Sequence, residues 1–295
     1  MLSWQGAHLL PDCLKALQAQ EPKARIVVID NGSTDGTADL VRREYGSLDL
    51  VQLPRNLGYG QGNNEGLQRA LDAGAEFVAL VNNDVELEPG WLARLLAAAA
   101  EHPEAGLFTG TLLFRGKDEV NSTGLVIDAF GRARDRDFRV PLAELQRADG
   151  PVQGVSGGAC LLRTAMLRDI GLFDPDYFAY YEDVDLSLRA AERGYASLYV
   201  RDAMARHRFG ATFGPGSPQQ RYLLARGHLR TLAKHQPWLR AAALVPFTVA
   251  WRLGVKAPMD VLRGLPGHAL AEVRGAAGGG LSALRAFFDR SRKPR

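Results

Sequence analysis

The sequence predicts an α/β fold with a mostly parallel central sheet, flanking helices and a helical, basic C-terminal extension. Three observations predict it. Short β-branched runs alternate with helix-length segments over the first two-fifths of the chain, the spacing of βαβ units. Polar, turn-rich loops stand at the ends of those runs. The composition, 46% hydrophobic and 23% charged over 295 residues, is that of an ordinary globular protein able to bury a large core.

The elements follow in order. Leu2-Ser3-Trp4 reads as the end of a central strand, between strands ending at Asp30 and near Asn82. Either that strand is a stub or the natural start lies upstream. Leu9 to Gln20 is the helix after it, and Arg25-Ile26-Val27-Val28-Ile29 a buried strand. The loop Asp30 to Thr37 leads to a helix ending near Tyr45, then a strand from Leu48 to Leu53 and a helix from Gly62 to Ala73. Phe77 to Val81 is the next strand, and Pro89 is placed to open a helix from Gly90 to Glu101. From Leu107 to Phe138 short strands with Gly and Asp turns are expected. Gly157 to Leu162 leads into a helix, Asp183 to Arg193 forms another, and Gln219 to His235 a third. Beyond Pro237, apolar stretches are broken by Gly and Pro and edged with arginine.

Composition excludes several functions. Two cysteines, Cys13 and Cys160, are too few for a disulfide framework and read as reduced core residues. No run is long and apolar enough to span a bilayer, and the start lacks a signal peptide. A cytoplasmic protein is therefore expected, with Asn31-Gly32-Ser33 and Asn121-Ser122-Thr123 sequons in spelling only. A net charge of +3 gives no case for nucleic-acid binding, but its distribution is uneven. Nine cations and three acids lie from Arg252 to Arg295, so this tail carries +6 and the rest of the chain −3. Gly58-Tyr59-Gly60-Gln61-Gly62 has Asn63 where a dinucleotide fingerprint needs its third glycine, and no P-loop is present.

Three polar clusters fall where ligands bind an α/β sheet, at strand ends or facing helix starts. They are Asp30-Asn31-Gly32-Ser33, Asn82-Asn83-Asp84 and Glu182-Asp183-Val184-Asp185. Singly, each has a plain structural reading as a capped βα loop, a turn, or acids on a helix dipole. Their joint occurrence in this order points to a ligand site. At these residues the chain resembles the family-2 glycosyltransferases of GT-A fold. Ile26 to Thr37 is similar to their nucleotide-binding segment, and Asn56-Leu57-Gly58-Tyr59-Gly60-Gln61-Gly62-Asn63-Asn64 to their glycine-rich second segment. Asn82-Asn83-Asp84-Val85 stands where they carry a DxD-type metal motif, with Asn82 replacing the first Asp. Gly157-Gly158-Ala159 and Tyr181 to Leu186 resemble their acceptor loop and catalytic ED motif. The match runs from about Leu2 to Gly214, and among subgroups it is most similar to bacterial rhamnosyltransferase-like enzymes of cell-surface polysaccharide synthesis.

The resemblance implies a function and roles. It implies an inverting transferase moving a sugar, with rhamnose the subgroup's suggestion, from a dTDP-, UDP- or GDP-linked donor to a saccharide or lipid-linked acceptor. Ser3, Trp4, Asp30, Asn31, Gly32, Ser33, Asn56, Gly60, Asn63, Asn82 and Asn83 would bind the nucleotide, Asp30 accepting from the base. Asp84 and His207 would hold Mg²⁺ or Mn²⁺, which stabilises the departing diphosphate. Asp183 would be the single general base that inversion requires, with Gly157 and Gly158 at the acceptor and Glu182 and Asp185 orienting the acceptor or capping the helix. The expected organisation is a catalytic domain over 1–235, divided into a nucleotide-sugar half to 113 and an acceptor half over 114–235, and a basic helical extension over 236–295. That extension reads either as a peripheral membrane contact at the inner face of the cell membrane or as packing on the domain or a dimer contact. Two other readings stand beside it: a catalytically silent nucleotide-sugar-binding protein and a sugar-1-phosphate nucleotidyltransferase. The second lacks the glycine- and basic-rich N-terminal loop it would need.

Overall fold

The computed structural model describes residues 1–210 and 214–292. The side chains of the tail cations Arg290, Arg292, Lys293 and Arg295 lie outside the described residues. The chain divides into two compact units. The first comprises 1–126, 134–175 and 183–211, and the second 127–133, 176–182 and 212–295. The second unit thus takes in the helix Pro218–His235, so these units part the chain at different points from a boundary at 235.

The first unit is an α/β structure with two sheets. Leu2–Ser3, Val27–Asp30 and Asp49–Gln52 form a three-stranded sheet, parallel throughout, with the helices Leu10–Gln18, Thr37–Glu44 and Tyr59–Asp72. Two-residue Leu2–Ser3 lies between the neighbours the sequence names, but as the end strand of this sheet and not as a central one. Leu2 pairs with Ile29, Ser3 pairs with Asp30, and Leu2 bridges Asn82 on the other side. Three strand ends therefore converge on one edge.

The larger sheet is mixed. Its order is Gly150–Val152, Ala196–His207, Ala105–Phe114, Ala159–Arg163, Phe77–Val81. Ala159–Arg163 runs antiparallel to both neighbours, whereas Ala196–His207 and Ala105–Phe114 run parallel. Short strands were expected from Leu107 to Phe138, and Val120–Ser122, Leu125–Ile127 and Ala133–Asp135 are short, but the first is a ten-residue strand, Ala105–Phe114, buried along nearly its whole length. A strand covered on both faces needs no polar alternation, which is why period-2 patterning misses it. Ala196–His207 is also unannounced by the sequence, because Arg201 and Asp202 interrupt its apolar run. They lie in a bulge, where the register jumps between Tyr199 and Met204. Gly110 faces this bulge so closely that a Cβ there would lie 1.7 Å from the Ala203 carbonyl oxygen.

The core lies between the sheet and the helix Trp91–Glu101, with Trp91, Leu95, Phe108 and Leu161 all but inaccessible. Cys13 and Cys160 are buried free thiols, as expected. Burial pushes the Cys13 thiol up to about 12.

The second unit is helical. Pro218–His235 begins with Ser217 accepting the Gln220 amide at 3.2 Å and Pro218 in its first turn. Trp238–Trp251 passes through a π-helical turn, Arg252–Lys256, into Ala257–Leu262. Pro266–Arg292 then runs unbroken for 27 residues. Two of its glycines, which read as breakers in the sequence, are contact points. A Cβ at Gly275 would lie 2.6 Å from Ala225 Cβ, and one at Gly279 would lie 2.6 Å from Leu229 Cδ1. Close approach to the helix Pro218–His235 thus offsets the helix propensity that glycine lacks. Among the described residues, no helix is long and apolar enough to cross a membrane.

Candidate active site

Asp30 ends its strand, where the loop to the helix Thr37–Glu44 turns away from the sheet. One of its oxygens, Oδ1, accepts the Ser33 amide at 3.0 Å, while Oδ2 is buried without a hydrogen-bond partner. A buried carboxylate oxygen left open suits a donor arriving with a ligand, such as the imide N–H of a pyrimidine. Asn31 joins the two loops expected at the nucleotide. Its Nδ2 donates to Asn56 Oδ1 and the Gly58 carbonyl at 3.0 and 3.1 Å, and its Oδ1 accepts the Leu57 amide. Gly32, at φ +73°, passes so close to Arg55 that a Cβ would lie 2.5 Å from its backbone. Ser33 Oγ accepts the Gln5 amide at 2.9 Å. Gly60 and Asn63 are buried in the first turns of Tyr59–Asp72, with Asn63 Nδ2 donating to the Tyr59 carbonyl. Ser3 Oγ accepts from Asn83 Nδ2 at 3.0 Å, and Trp4 follows, half-buried. Gly6 leaves room for this contact, since a Cβ there would lie 2.0 Å from Asn83 Nδ2 and displace it.

The next strand end carries Asp84. Short Val85–Leu87 pairs antiparallel with the end of Ala196–His207, His207 opposite Val85. This register brings two residues 123 positions apart together, with His207 Nε2 at 3.3 Å from Asp84 Oδ1. On the far side of the ring Nδ1 lies 2.8 Å from Asn121 Oδ1. An amide oxygen only accepts, so Nδ1 carries a proton, and Nε2 is the ring nitrogen turned toward the carboxylate. Asp84 Oδ1 is buried and lacks a hydrogen-bond donor. A carboxylate oxygen beside an imidazole nitrogen is a donor pair that fits a divalent ion such as Mn²⁺ or Mg²⁺. Among the described residues, no group of three or more His, Cys, Asp or Glu surrounds a common point.

Asp183 lies in the first turn of the helix Glu182–Glu192. Its Oδ2 accepts the Gly157 amide at 3.0 Å and its Oδ1 the Val184 amide at 2.8 Å. Desolvation raises its pKa above the ordinary carboxylate value, and those amides partly oppose the shift. The Gly157 carbonyl accepts the Tyr59 hydroxyl, and the Gly158 carbonyl accepts the Asn82 amide at 2.9 Å. One glycine loop thus touches Asp183 on one side and the Asp84-bearing strand end on the other.

Not every expected residue faces a ligand. Asp185, placed at the acceptor by the sequence, is fully buried and paired with Arg189 at 2.8 Å. That guanidinium also donates to the Ile170 and Leu172 carbonyls, so Asp185 anchors the helix. Glu182 is buried at the helix start. Tyr180 and Tyr181 before it both adopt left-handed backbone, φ +65° and +73°, conformations that non-glycine residues adopt mainly where the surroundings impose them.

Sequence reasoning missed Asp135, whose pKa burial raises to about 6. Ser122 bonds to it, Asp183 raises it further and His207 lowers it. It lies in the region read as short strands, where nothing marks one acid over another. Gln5, Tyr59 and Asn121 were missed likewise, and only their placement in the fold reveals them.

Residues 3–171 match the family described as Glycosyl transferase family 2, more than half of the chain. The chain is a family-2 glycosyltransferase. The transferase is 30% identical over 260 residues to the N-acetylglucosaminyl-diphospho-decaprenol L-rhamnosyltransferase of Mycobacterium tuberculosis, covering 80% of this chain and 83% of that one. It is 25% identical over 245 residues to the O-antigen biosynthesis protein RfbC of Myxococcus xanthus, covering 78% of this chain but 18% of that protein. Its rhamnosyltransferase-like character and its α/β GT-A fold therefore stand as expected. Among solved structures, the mannosyltransferase PcManGT of Pyrobaculum calidifontis, in complex with GDP-Man and Mn²⁺, superposes with a TM-score of 0.58 at 19% identity, covering 95% of this chain and 85% of that one. The TarS 1–349 structure of S. aureus in complex with UDP-GlcNAc superposes with a TM-score of 0.56 at 19% identity, covering 100% and 91%. These two establish the shared fold.

Proposed function

We propose that this transferase moves a sugar from a nucleotide-diphosphate donor to a hydroxyl of a saccharide or lipid-linked acceptor with inversion at the anomeric carbon. The observation that carries the reading is the Gly157–Gly158 loop, which ties the desolvated Asp183 carboxylate to the strand end bearing Asp84. In that reading Asp183 takes the proton from the acceptor hydroxyl as its oxygen attacks opposite the departing diphosphate. Asp30 Oδ2 takes the N–H of the base, and Asn31 fixes the two loops around the nucleotide. Asp84 and His207 Nε2 would hold the divalent ion, Mg²⁺ or Mn²⁺, which supplies charge stabilisation to the diphosphate. Asn121 keeps the imidazole in the liganding tautomer. Tyr59 holds the glycine loop through the Gly157 carbonyl.

The Mycobacterium relative is named for a lipid-linked acceptor, and a lipid-linked substrate would bring this chain to a membrane surface. Among the described residues every large, well-exposed hydrophobic side chain except Phe138 belongs to the second unit, including Trp238, Phe247, Leu262 and Phe288. Such residues beside a basic tail support peripheral contact with the inner face of the cell membrane.

The decisive experiment incubates the protein with dTDP-, UDP- and GDP-sugars, with and without Mn²⁺, and follows both donor binding and release of nucleoside diphosphate. Metal-dependent binding and turnover of one donor class is expected. Affinity without turnover on any acceptor would instead identify a silent nucleotide-sugar-binding protein.

A further inference from the structure

The second unit holds an open cavity of about 650 Å³ that plays no part in the site described above. Its charges are unbalanced. On its floor Glu272, 2% exposed, faces Arg252 at 2.5 Å, Lys256 at 3.5 Å and Arg221 at 3.8 Å. Arg221 also binds the buried Asp260 at 2.8 Å. Arg132 and Arg263 line the same cavity, are exposed, and have no carboxylate partner among the described residues. Five cations therefore face two carboxylates.

A network serving only to hold helices together would be neutral and close-packed, whereas this one lines an open cavity and carries cations in excess. The Nε–H of Arg252 is buried with nothing to donate to, the kind of unspent donor that a bound anion satisfies. Arg252 and Lys256 open and close the π-helical turn, a local insertion that often marks a functional position in a helix. The field of this surplus is felt by His228 on the cavity wall, whose pKa falls to about 4, first by burial and then by the charges of Arg252 and Arg132. It is neutral and donates Nε2–H to the Phe130 carbonyl at 2.9 Å. The rim is different in character: Trp251, Met259 and Leu224 line the mouth and stand exposed.

We propose that this cavity binds the phosphoryl group of a lipid phosphate or diphosphate, its anion on the arginine-lined floor and its hydrocarbon chain leaving over the Trp251–Met259–Leu224 rim. Guanidinium groups bind phosphate oxygens in pairs, and an apolar rim above a cationic floor matches an amphiphile and not a free anion. The inference deepens the reading of a lipid-linked acceptor and rests on it, since it gives that acceptor's phosphates a seat in this chain.

The test is a titration of the full chain with geranylgeranyl diphosphate, geranylgeraniol and inorganic diphosphate, followed by calorimetry. Geranylgeranyl diphosphate should bind at least about tenfold more tightly than either half of the molecule alone. The double variant Arg132→Gln/Arg263→Gln spares every ion pair to Asp260 and Glu272, so it should fold and keep the nucleotide affinity of the first unit. It should also lose at least about tenfold in affinity for the lipid diphosphate, because each charge-assisted hydrogen bond to phosphate is a strong one. Equal binding of geranylgeraniol, equal binding of inorganic diphosphate, or an unchanged affinity in the variant would each overturn the proposal. These titrations contain no sugar nucleotide, so failure of the transfer assay leaves their outcome intact. Conversely, transfer to a lipid-linked acceptor by the variant with unchanged KM would overturn the cavity assignment and leave the transferase reading standing.

Discussion

Asp183 and Asp135 are two carboxylates whose charges oppose each other in a dry environment, one proposed as the base and one with no assigned partner in the reaction. Replacing Asp183 with Asn keeps the size of the side chain but removes the proton acceptor. Turnover should fall by about 10²–10⁴-fold while nucleotide-sugar affinity holds, as measured by single-turnover transfer beside calorimetric titration. Turnover within tenfold of the parent would defeat the assignment. The pH dependence follows from the same burial. A base must be ionised to act, so the rate falls as pH drops through a pKa that desolvation has raised above 3.8. Asp183→Asn also removes the charge that raises the Asp135 pKa, so the Asp135 carboxyl should ionise at lower pH in that variant, as read by NMR titration. An Asp135 titration that stays in place would mean that the two groups do not interact. The metal pair gives another prediction. Asn121→Leu removes the acceptor that fixes the His207 tautomer, so Mn²⁺ affinity, read by calorimetry with nucleotide diphosphate present, should weaken by about 10–100-fold. Asp84→Ala should abolish the metal dependence of donor binding altogether.

At the scale of elements, the sequence was most legible where one local pattern sufficed. Val27–Asp30 and Phe77–Val81 are β-branched or apolar runs that stop at polar residues, so both the strands and the carboxylates at their ends could be read directly. Asp183 could be read because acids cluster at one helix start. Asn121 and Asp135 could not, because their importance comes from pairing between strands, which no local pattern encodes. Ala105–Phe114 and Ala196–His207 escaped for a related reason: double-sided burial and a bulge erase the alternation that identifies a strand. The helix Pro266–Arg292 shows the opposite error, glycines taken as punctuation when they are contact surface. This distinction can be tested at two adjacent residues. Gly279→Ala places a Cβ against Leu229 and the Arg226 backbone and should destabilise the protein by about 1–3 kcal/mol in urea unfolding. Gly280→Ala meets nothing within 4 Å and should stabilise it by about 0.5–1 kcal/mol. Equal effects of the two substitutions would remove the packing explanation for the glycines.

Across the whole molecule, charge and exposed apolar surface are both concentrated toward the C-terminus, and the composition already revealed the charge. The tail from Arg252 to Arg295 carries +6, and each cation near an anionic surface contributes about 1 kcal/mol, a salt-sensitive attraction. Full-length protein should sediment with anionic vesicles at low salt and be released as salt rises. Trp238→Ser/Phe247→Ser/Leu262→Ser should reduce the bound fraction without altering donor affinity, since all three side chains are exposed in the second unit. Sedimentation unchanged by the triple substitution would assign those side chains to another covering surface. The exposure of these residues was not legible in advance, because an apolar run in a helix reads the same whether it faces a core or a solvent.

The second unit is assembled from three stretches of chain, 127–133, 176–182 and 212–295, and only the last is a tail in sequence. His228 donates to the Phe130 carbonyl, Arg240 to the Ala129 carbonyl, and Gly227 leaves only 2.9 Å between a hypothetical Cβ and Tyr181 Cβ. Such a unit cannot be traded between relatives as a cassette. A hybrid enzyme that inherits a foreign C-terminus after 212 keeps its native 127–133 and 176–182, and thereby pairs foreign helices with loops they did not co-evolve with. A hybrid with crossovers at all three stretches keeps those partners together. For this fold, the segments that must be inherited jointly are set by spatial partnership and not by their order along the gene.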